Sequence, residues 1–496
     1  MPHPASLDID VPHLDRFYIG SSWVEPATSA TREVTSPTTE QVLASVPDAG
    51  RIDAERAVRA ARSAFDSGPW PHMTMSERIE VCERLIAALE QRMPVINRAW
   101  AFESGVAKKH REALNTMMTP AVGRENLRLA VGMSFEEIRE SATERALLSR
   151  EPVGVVLAVL TYNGPVIQMT KKVLPALLAG NTVVIKPAPE SQLTTRLLAQ
   201  CFDDAGFPTG VVNFVPGGTE ASQSLVAHPG IDFITLTAGM EIGTDVLRRS
   251  ASHMPRTVFE LGGKGPAIVL ADAELEPTVA ALAGGAMSFL GQICTAQSRI
   301  FVPRSRYEDF SEALGKAYSA MRVGDPFDDE PEFGPLAVER ALRRSERFVE
   351  SAQRQGGTVV AGGRRPDGFD KGWFYEPTLI RDLNNDTEIC QNEVFGPVTA
   401  LLAYDTVDEA VEAANDTRYG LMGSVFSADS DAARLVARRV RCGMVAINHG
   451  APSLGNPFGG VRGSGWGREC GPEGIYEFTQ LKTTLLSTTF SMFESR

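Results

Sequence analysis

Short apolar runs alternate with amphipathic segments from about residue 150 onward. The run at 153–160 is apolar at nearly every position, as expected of a strand buried on both faces. The further strand candidates are 182–185, 211–215, 232–237 and 257–261, and the helix candidates between them are 167–178, 193–205 and a segment beginning at 241. This rhythm predicts a mostly parallel, doubly wound sheet.

A second cycle of the same kind follows residue 294. Its strand candidates are 299–302, 358–361, 398–403, 423–426 and 444–447, and its helix candidates are 340–355, 407–414 and 431–438. Helical spacing of apolar residues also predicts two helices within 53–92. We therefore expect two α/β domains with a boundary near 260–265, while 131–150 and the Thr- and Ser-rich tail fit neither cycle.

Composition and charge exclude several functional classes. With 62 acidic and 49 basic residues the formal charge is −13, which disfavours binding to nucleic acid or an anionic membrane. Residues 1–12 contain two aspartates and no apolar core, and no apolar stretch reaches the ~18 residues of a membrane span. We expect a cytoplasmic protein whose six scattered cysteines are reduced.

The motifs of several enzyme classes are missing. The chain has no Cys-x-x-Cys, no His-Glu-x-x-His, no Gly-x-Ser-x-Gly and no Walker-type loop, so we expect no metal. No Gly-x-Gly-x-x-Gly follows a predicted strand either. The turn from Thr237 to Gly243 does lead from a strand into a helix, whose N-terminal amides can face a pyrophosphate, although it also suits a plain connection.

Three side chains form a candidate catalytic set. Cys294 follows a run of small residues, and a thiolate is a strong nucleophile whose acyl adduct is readily transferred, although an isolated Cys is more often a small buried hydrophobe. Asn163 follows the first strand of the predicted sheet, at the carboxyl end where such folds bind ligands. Glu260 ends a later strand and precedes a Gly-Gly turn. An amide donor, a carboxylate and a thiol at one cleft suit covalent chemistry on a carbonyl.

The chain resembles the aldehyde dehydrogenase superfamily from about residue 17 to 484. The matching motifs are Asn163 at its strand end, Leu-Pro-Ala-Leu-Leu-Ala-Gly-Asn-Thr-Val-Val-Ile-Lys-Pro at 174–187, Glu-Leu-Gly-Gly-Lys at 260–264, Gly-Gln-Ile-Cys at 291–294, Glu-Val-Phe-Gly-Pro at 393–397, Asn-Pro-Phe-Gly-Gly at 456–460 and Ser-Gly-Trp-Gly-Arg-Glu at 464–469. The resemblance implies a Rossmann-like cofactor domain (1–130 and 151–260), a catalytic domain (261–472) and a small projecting oligomerisation element (131–150 and 473–496).

The resemblance also implies the roles of individual residues. Cys294 would attack the aldehyde, Asn163 would hold the oxyanion, Glu260 would activate water against the thioester, and Lys172 would lend positive charge nearby. The residues implied in binding NAD, with NADP possible, are Lys186, Pro189, Glu190, Gly239, Gly243, Leu261, Glu393 and Phe395. Without their motifs, Lys172 and Lys186 would be interpreted as solvated ends of core elements and Glu393 as an ordinary loop acid.

Three positions depart from the family pattern. Pro189 stands where many relatives carry an acid that binds the adenosine ribose, with Glu190 next, which weakens the electrostatic case for strict NAD preference. Ala238-Gly239 replaces the usual Gly-Ser, so backbone amides would have to bind the pyrophosphate. Gly164 replaces a bulky aromatic residue, which should reshape the substrate tunnel.

Two alternatives to a hydrolytic aldehyde dehydrogenase stay open. One is a CoA-acylating semialdehyde dehydrogenase, whose members generally lack the glutamate matching Glu260, and the other is a non-catalytic member of the fold. Similar proteins form dimers or tetramers, and 131–150 and 481–490 are the expected contacts. The residues near Cys294 mildly favour an apolar aldehyde, since no arginine stands out as a carboxylate clamp.

Overall fold

The computed structural model describes residues 7–142 and 144–488. Within them the strands are β1 Phe17–Ile19, β2 Ser22–Val24, β3 Thr31–Thr35, β4 Val42–Pro47, β5 Glu136–Glu140, β6 Glu144–Pro152, β7 Val155–Val159, β8 Thr182–Lys186, β9 Val212–Phe214, β10 Phe233–Thr237, β11 Arg256–Glu260, β12 Pro266–Val269, β13 Arg299–Pro303, β14 Thr358–Ala361, β15 Thr378–Arg381, β16 Val398–Tyr404, β17 Met422–Phe426, β18 Met444–Ile447, β19 Gly465–Trp466 and β20 Thr479–Thr488.

The α-helices are α1 Arg51–Ser67, α2 Met75–Ser104, α3 Lys108–Arg111, α4 Thr119–Gly132, α5 Pro165–Gln168, α6 Leu174–Leu178, α7 Gln192–Ala205, α8 Thr219–Val226, α9 Met240–Ser250, α10 Leu275–Met287, α11 Tyr307–Ala320, α12 Glu339–Arg354, α13 Glu388–Gln391, α14 Val407–Asn415, α15 Ser430–Ala437 and α16 Gly471–Tyr476. Two π-helical turns, Glu112–Met118 and Met169–Val173, join α3 to α4 and α5 to α6. None of the helices in the described part of the chain has the length and apolar character to cross a membrane.

The first large sheet has the strand order β19–β11–β10–β7–β8–β9. Its pairs are parallel except for β19, which runs antiparallel to β11. Thr237 is in register with Glu260, and Val159 with Lys186. The carboxyl ends of β7, β8, β10 and β11 therefore meet along one edge, where ligands bind in open α/β sheets.

The second large sheet has the order β14–β15–β16–β13–β12–β17–β18 and is parallel except at the β14–β15 pair. Residues 261–265 carry the chain directly from β11 in the first sheet to β12 in the second. The α/β class with two sheets is as predicted. The domain division stays a prediction, and β19 of the predicted catalytic range pairs with β11 of the first sheet.

A third sheet, ordered β20–β6–β5, is antiparallel. It contains most of the described part of the predicted oligomerisation element, and every residue of β5 is exposed. Ile138, Leu481 and Leu485 present exposed apolar side chains there. Residues 1–6, 143 and 489–496, which belong to predicted ranges, lie outside the described residues.

Candidate active site

Cys294 follows α10 through a sharply turned segment. Phe289 and Leu290 have φ of 45° and 52°, and Gly291 follows with φ of 70°. A Cβ at Gly291 would lie 2.2 Å from the carbonyl oxygen of Gly396, so the left-handed, closely packed position requires glycine. The loop that carries Cys294 is thereby held against the 393–397 motif.

Asn163 lies beside the same loop. Its Nδ2 donates to the carbonyl oxygen of Gln292 at 2.8 Å, two residues before Cys294, and its Oδ1 accepts from Gln168 Nε2 at 3.3 Å. The Gln292 side chain is itself fixed, because Oε1 accepts from the Ala337 amide at 3.0 Å. The structure therefore brings the predicted amide donor to the loop of the predicted nucleophile.

Glu260 approaches Cys294 through the Gly-Gly turn. A Cβ at Gly263 would lie 2.2 Å from the carbonyl oxygen of Cys294, so the two backbones are in direct contact. The Glu260 side chain is 2% exposed, yet neither carboxylate oxygen accepts a hydrogen bond from any described residue. The carboxyl is thus placed at the site but is not anchored there.

A buried charge cluster surrounds Glu260. Glu469, 4% exposed, forms ion pairs with Lys171 at 2.7 Å and with Lys172. Burial, then the charge of Glu469, raises the pKa of Glu260 well above its ordinary value, while the two lysines and Arg468 oppose the rise. Burial acts in the same direction on Glu469, but the two lysines outweigh it and lower the Glu469 pKa.

Cys294 itself packs against an apolar cluster formed by Leu421, Phe458 and Cys470. Burial, followed by the charge of Glu260, raises the pKa of the Cys294 thiol to about 12, and the charge of Lys171 opposes the rise. Since the thiolate is the nucleophilic form, positive charge near the sulfur favours reaction.

Three of the predicted cofactor residues lie at the end of β8 or shortly after it. Lys186, 4% exposed, donates to the carbonyl oxygen of Pro187 at 2.7 Å, and burial lowers its pKa to about 8. Glu190 forms an ion pair with Arg340 at 2.6 Å. Pro189 is half-buried between them and contributes no carboxylate. The acid next to Pro189 is therefore already engaged by an arginine.

The turn after β10 is open where a ligand could approach. Gly239 caps the N-terminus of α9, is exposed, and would place an added Cβ in free space. Gly243, one turn into the helix, lies so close to Leu261 that a Cβ would be 2.9 Å from its side chain. The amides of the first helical turn have no partners within the helix, which fits the binding of a phosphate group.

Glu393 and Phe395 flank the other side of the Gly-Gly turn. Glu393 Oε1 accepts from the Gly263 amide at 2.9 Å, and burial raises the pKa of Glu393 to about 7. Phe395 has φ of 52° and meets the ring of Tyr162 edge-on, with centroids 6.2 Å apart. Both residues thus lie within reach of the segments that carry Glu260, Asn163 and Cys294.

The sequence model that describes the aldehyde dehydrogenase family matches residues 23–484 of this chain. The chain belongs to the aldehyde dehydrogenase family. It is an oxidoreductase that oxidises aldehydes with a nicotinamide dinucleotide, and the expected resemblance is confirmed.

Among its relatives, the geranial dehydrogenase of Castellaniella defragrans is 36% identical and covers 97% of this chain and 100% of its own length. An aldehyde dehydrogenase of Mycobacterium tuberculosis, solved with NAD+, is 38% identical with a TM-score of 0.94, covering 96% of this chain and 99% of that one. A mutant aldehyde dehydrogenase C of Pseudomonas syringae, solved with NAD+ and octanal, is 35% identical with a TM-score of 0.89, covering 96% and 97%.

Lys172 lies in the same charge cluster, where its charge lowers the pKa of Glu260, and its expected role near the oxyanion stays a prediction. It is fully buried, and its Nζ donates to Thr235 on β10 at 3.2 Å and to Glu469. No described hydrogen bond joins it to Asn163 or Cys294. The charge of the neighbouring Lys171 lowers the pKa of the Cys294 thiol.

Sequence reasoning missed Lys171, Arg468 and the role of Glu469 as the counterion of both lysines. The available signal was two consecutive lysines inside the buried helical segment 165–178, since buried lysines need a partner. Among the described residues no group of three or more His, Cys, Asp or Glu side chains is placed to hold a metal ion.

Proposed function

We propose that the chain oxidises an aldehyde to a carboxylic acid at the site formed by Cys294, Asn163 and Glu260. One observation carries the proposal: Asn163 bonds to the carbonyl of Gln292, while the Gly263 backbone rests on the carbonyl of Cys294. Asn163, which follows β7, and the turn that follows Glu260 at the end of β11 therefore both contact the loop that carries Cys294.

In this proposal Cys294 Sγ attacks the carbonyl carbon and forms a thiohemiacetal. The oxyanion accepts hydrogen bonds from Asn163 Nδ2 and from the Cys294 amide, donors of the kind that stabilise such charge. After oxidation to the thioester, Glu260 takes a proton from a water, and the resulting hydroxide attacks the acyl carbon. The acid leaves and the thiol is restored.

NAD+, when bound, supplies the hydride acceptor. Lys186 would hold the adenosine ribose of the cofactor. The free amides at Gly239 would bind its pyrophosphate, next to Gly243 and Leu261. Glu393 and Phe395 would contact its nicotinamide end. The free space at Gly239 and the buried ammonium of Lys186, whose described hydrogen bond is to Pro187 alone, support the fit. NADP stays possible, because Pro189 offers no charge and Glu190 is paired with Arg340.

Hydrolysis is favoured over transfer to CoA. The carboxyl of Glu260 is buried at the site and accepts no hydrogen bond from a described residue, so it is available to a water. A non-catalytic member of the fold would have no reason to keep an unsatisfied buried acid, because burying such a group destabilises the folded state. An apolar aldehyde suits the cluster of Leu421, Phe458 and Cys470 around Cys294.

We also propose the predicted division into a cofactor domain, a catalytic domain and an oligomerisation element, in a cytoplasmic protein. The exposed apolar side chains of Ile138, Leu481 and Leu485 on the third sheet support a dimer or tetramer formed through it. Sedimentation at micromolar concentration tests this, and a monomer would contradict it.

The catalytic proposal is tested with Cys294→Ala in an assay for reduced cofactor, using a panel of aldehydes that includes octanal. We expect the variant to lose activity with every aldehyde. Cys442→Ala is a matched control, because Cys442 is another half-buried free thiol and has no proposed role. Normal activity of Cys294→Ala would refute the assignment of the nucleophile.

A further inference from the structure

Lys171 has contacts that distinguish it from its neighbour Lys172. It lies in the π-helical turn Met169–Val173, where two consecutive lysines are both buried. Its Nζ is 2.7 Å from Glu469 Oε2 and 3.9 Å from the centroid of the Phe458 ring. The ammonium is therefore held between a carboxylate and an aromatic face, an arrangement that retains a positive charge in a buried place.

Phe458 connects this ammonium to the nucleophile. The ring belongs to the apolar cluster against which Cys294 packs. The backbones of Phe458 and Glu469 are joined by two hydrogen bonds of 2.7 Å each, so the ring and the carboxylate that contact Lys171 are carried by paired segments. Lys172, by contrast, is directed to Thr235 on β10. Of the two lysines, Lys171 is the one on the Cys294 side.

The two buried lysines outnumber the carboxylate with which they pair. Lys171 and Lys172 share the single carboxylate of Glu469. Arg468, which also acts on Glu260, donates to the backbone carbonyls of Gly460 and Gly467 rather than to an acid. A new anion beside this cluster would thus meet two lysine charges that a single paired carboxylate does not balance.

We propose that Lys171 is a positioning residue for the proposed reaction, whose ammonium stabilises negative charge as it forms on Cys294 Sγ and on Glu260. The inference rests on the proposed function of these two groups. Lys171 makes no described hydrogen bond to Cys294 or to Glu260, so it acts on both groups through its charge.

The direction of the pKa shifts agrees with this geometry. After burial, the largest charge effects on the Cys294 thiol come from Glu260, Glu393 and Glu469, which raise its pKa, and from Lys171, which lowers it. Those that act on Glu260 are Glu469, which raises its pKa after burial, and Lys171, Lys172 and Arg468, which lower it. Lys171 is the cation common to both groups.

The test compares Lys171→Met and Lys171→Gln, which remove the charge, with Lys171→Arg, which retains it. Lys316→Met is the control, because Lys316 is an exposed lysine paired with Glu312 on α11. The first readout is the rate at which iodoacetamide alkylates Cys294 in the enzyme without cofactor, followed by mass spectrometry of the Cys294 peptide across a pH series. Glu469 keeps Lys172 as counterion in each variant, and thermal unfolding verifies that each is folded.

We expect the two uncharged variants to alkylate more slowly at a fixed pH, by about tenfold for each unit by which the Cys294 pKa rises. Lys171→Arg should restore most of the rate, and Lys316→Met should leave it unchanged. In turnover of octanal with NAD+, the acidic limb of the kcat profile should move to higher pH in the uncharged variants, because Glu260 also loses a stabilising cation.

Two results would overturn the proposal. One is an unchanged alkylation rate in a folded Lys171→Gln or Lys171→Met variant. The other is an equal loss in Lys171→Arg and Lys171→Gln, which would assign the effect to packing rather than to charge. Alkylation needs neither aldehyde nor cofactor, so it tests the role of Lys171 separately from the proposed function. The proposed function fails only if the wild-type enzyme oxidises no aldehyde.

Discussion

Gly263→Ala should disable the enzyme through its backbone alone. An added Cβ would lie 2.2 Å from the carbonyl oxygen of Cys294, about 1.2 Å short of the 3.4 Å at which ordinary contact begins. The neighbouring atom belongs to the backbone and cannot rotate away, so either the Gly-Gly turn or the Cys294 loop must shift by about 1 Å. Misplacement of that size costs about a hundredfold in rate when reacting groups must be aligned.

The assay measures kcat/KM for an aldehyde together with the melting temperature. We expect kcat/KM to fall by about a hundredfold or more. The matched control is Gly284→Ala in α10, where an added Cβ meets nothing within 4 Å and alanine gains up to about 1 kcal/mol of helix propensity. If Gly263→Ala kept wild-type kcat/KM at an unchanged melting temperature, the turn would not fix the position of Cys294.

Three further results are expected around Glu260. Glu260→Gln should retain the initial burst of reduced cofactor while steady turnover falls by about 10²–10⁴-fold, since acylation needs only Cys294 and hydrolysis needs the base; an unchanged steady rate would contradict this role. Because the folded-state pKa of Glu260 is raised by burial and by Glu469, its ionisation should destabilise the fold as pH rises above the ordinary carboxyl range. In urea unfolding, the free energy of unfolding of Glu260→Gln should therefore exceed that of the wild type by an amount that grows with pH. A difference that stays constant with pH would disprove the raised pKa of Glu260. Glu469→Gln leaves Lys171 and Lys172 without a counterion, and the free energy of unfolding should fall by about 3–5 kcal/mol in the same measurement.

The parts of the fold that sequence reasoning found are those whose strands are continuous apolar runs. The run at 153–160 became β7, and the strands predicted at 358–361 and 444–447 have the same bounds in the structure. β7 is buried at nearly every position, whereas β14 and β18 are edge strands with partly exposed residues, so a short apolar run indicates a strand in either setting.

The missed elements lack that signal. β12 has only four residues and begins at a proline. It is a strand because it pairs with β13 on one side and with β17 on the other. Helix α10 contains Gly284 and Gly285, which lower helix propensity. Gly285 is required by tertiary packing, since an added Cβ would lie 3.0 Å from the Cα of Gly450. Neither pairing nor packing of this kind can be inferred from local sequence.

The residues of the site also fall into those that local sequence identifies and those that only the folded structure brings together. Asn163, Glu260 and Cys294 stand in motifs whose residue types indicate their chemistry, so sequence reasoning could name them. The charge cluster joins positions that are 297 residues apart, Lys172 and Glu469, and their contact exists only after folding. The family resemblance implies a role for Lys172, which stays a prediction, whereas the sequence could not show that the π-helical turn directs the adjacent Lys171 toward Phe458.

The geometry also explains how Glu260 can be buried without a partner. The segment 261–265 connects β11 to β12, and within it Gly263 contacts the Cys294 backbone while its amide donates to Glu393. One turn therefore sets the relative positions of three acidic or nucleophilic groups through backbone contacts, and the Glu260 side chain is not needed for anchoring. A general base must pass from holding a proton to releasing it within each cycle, and a carboxyl fixed by several donors would lose basicity. Positioning by the backbone leaves this carboxyl both in place and basic.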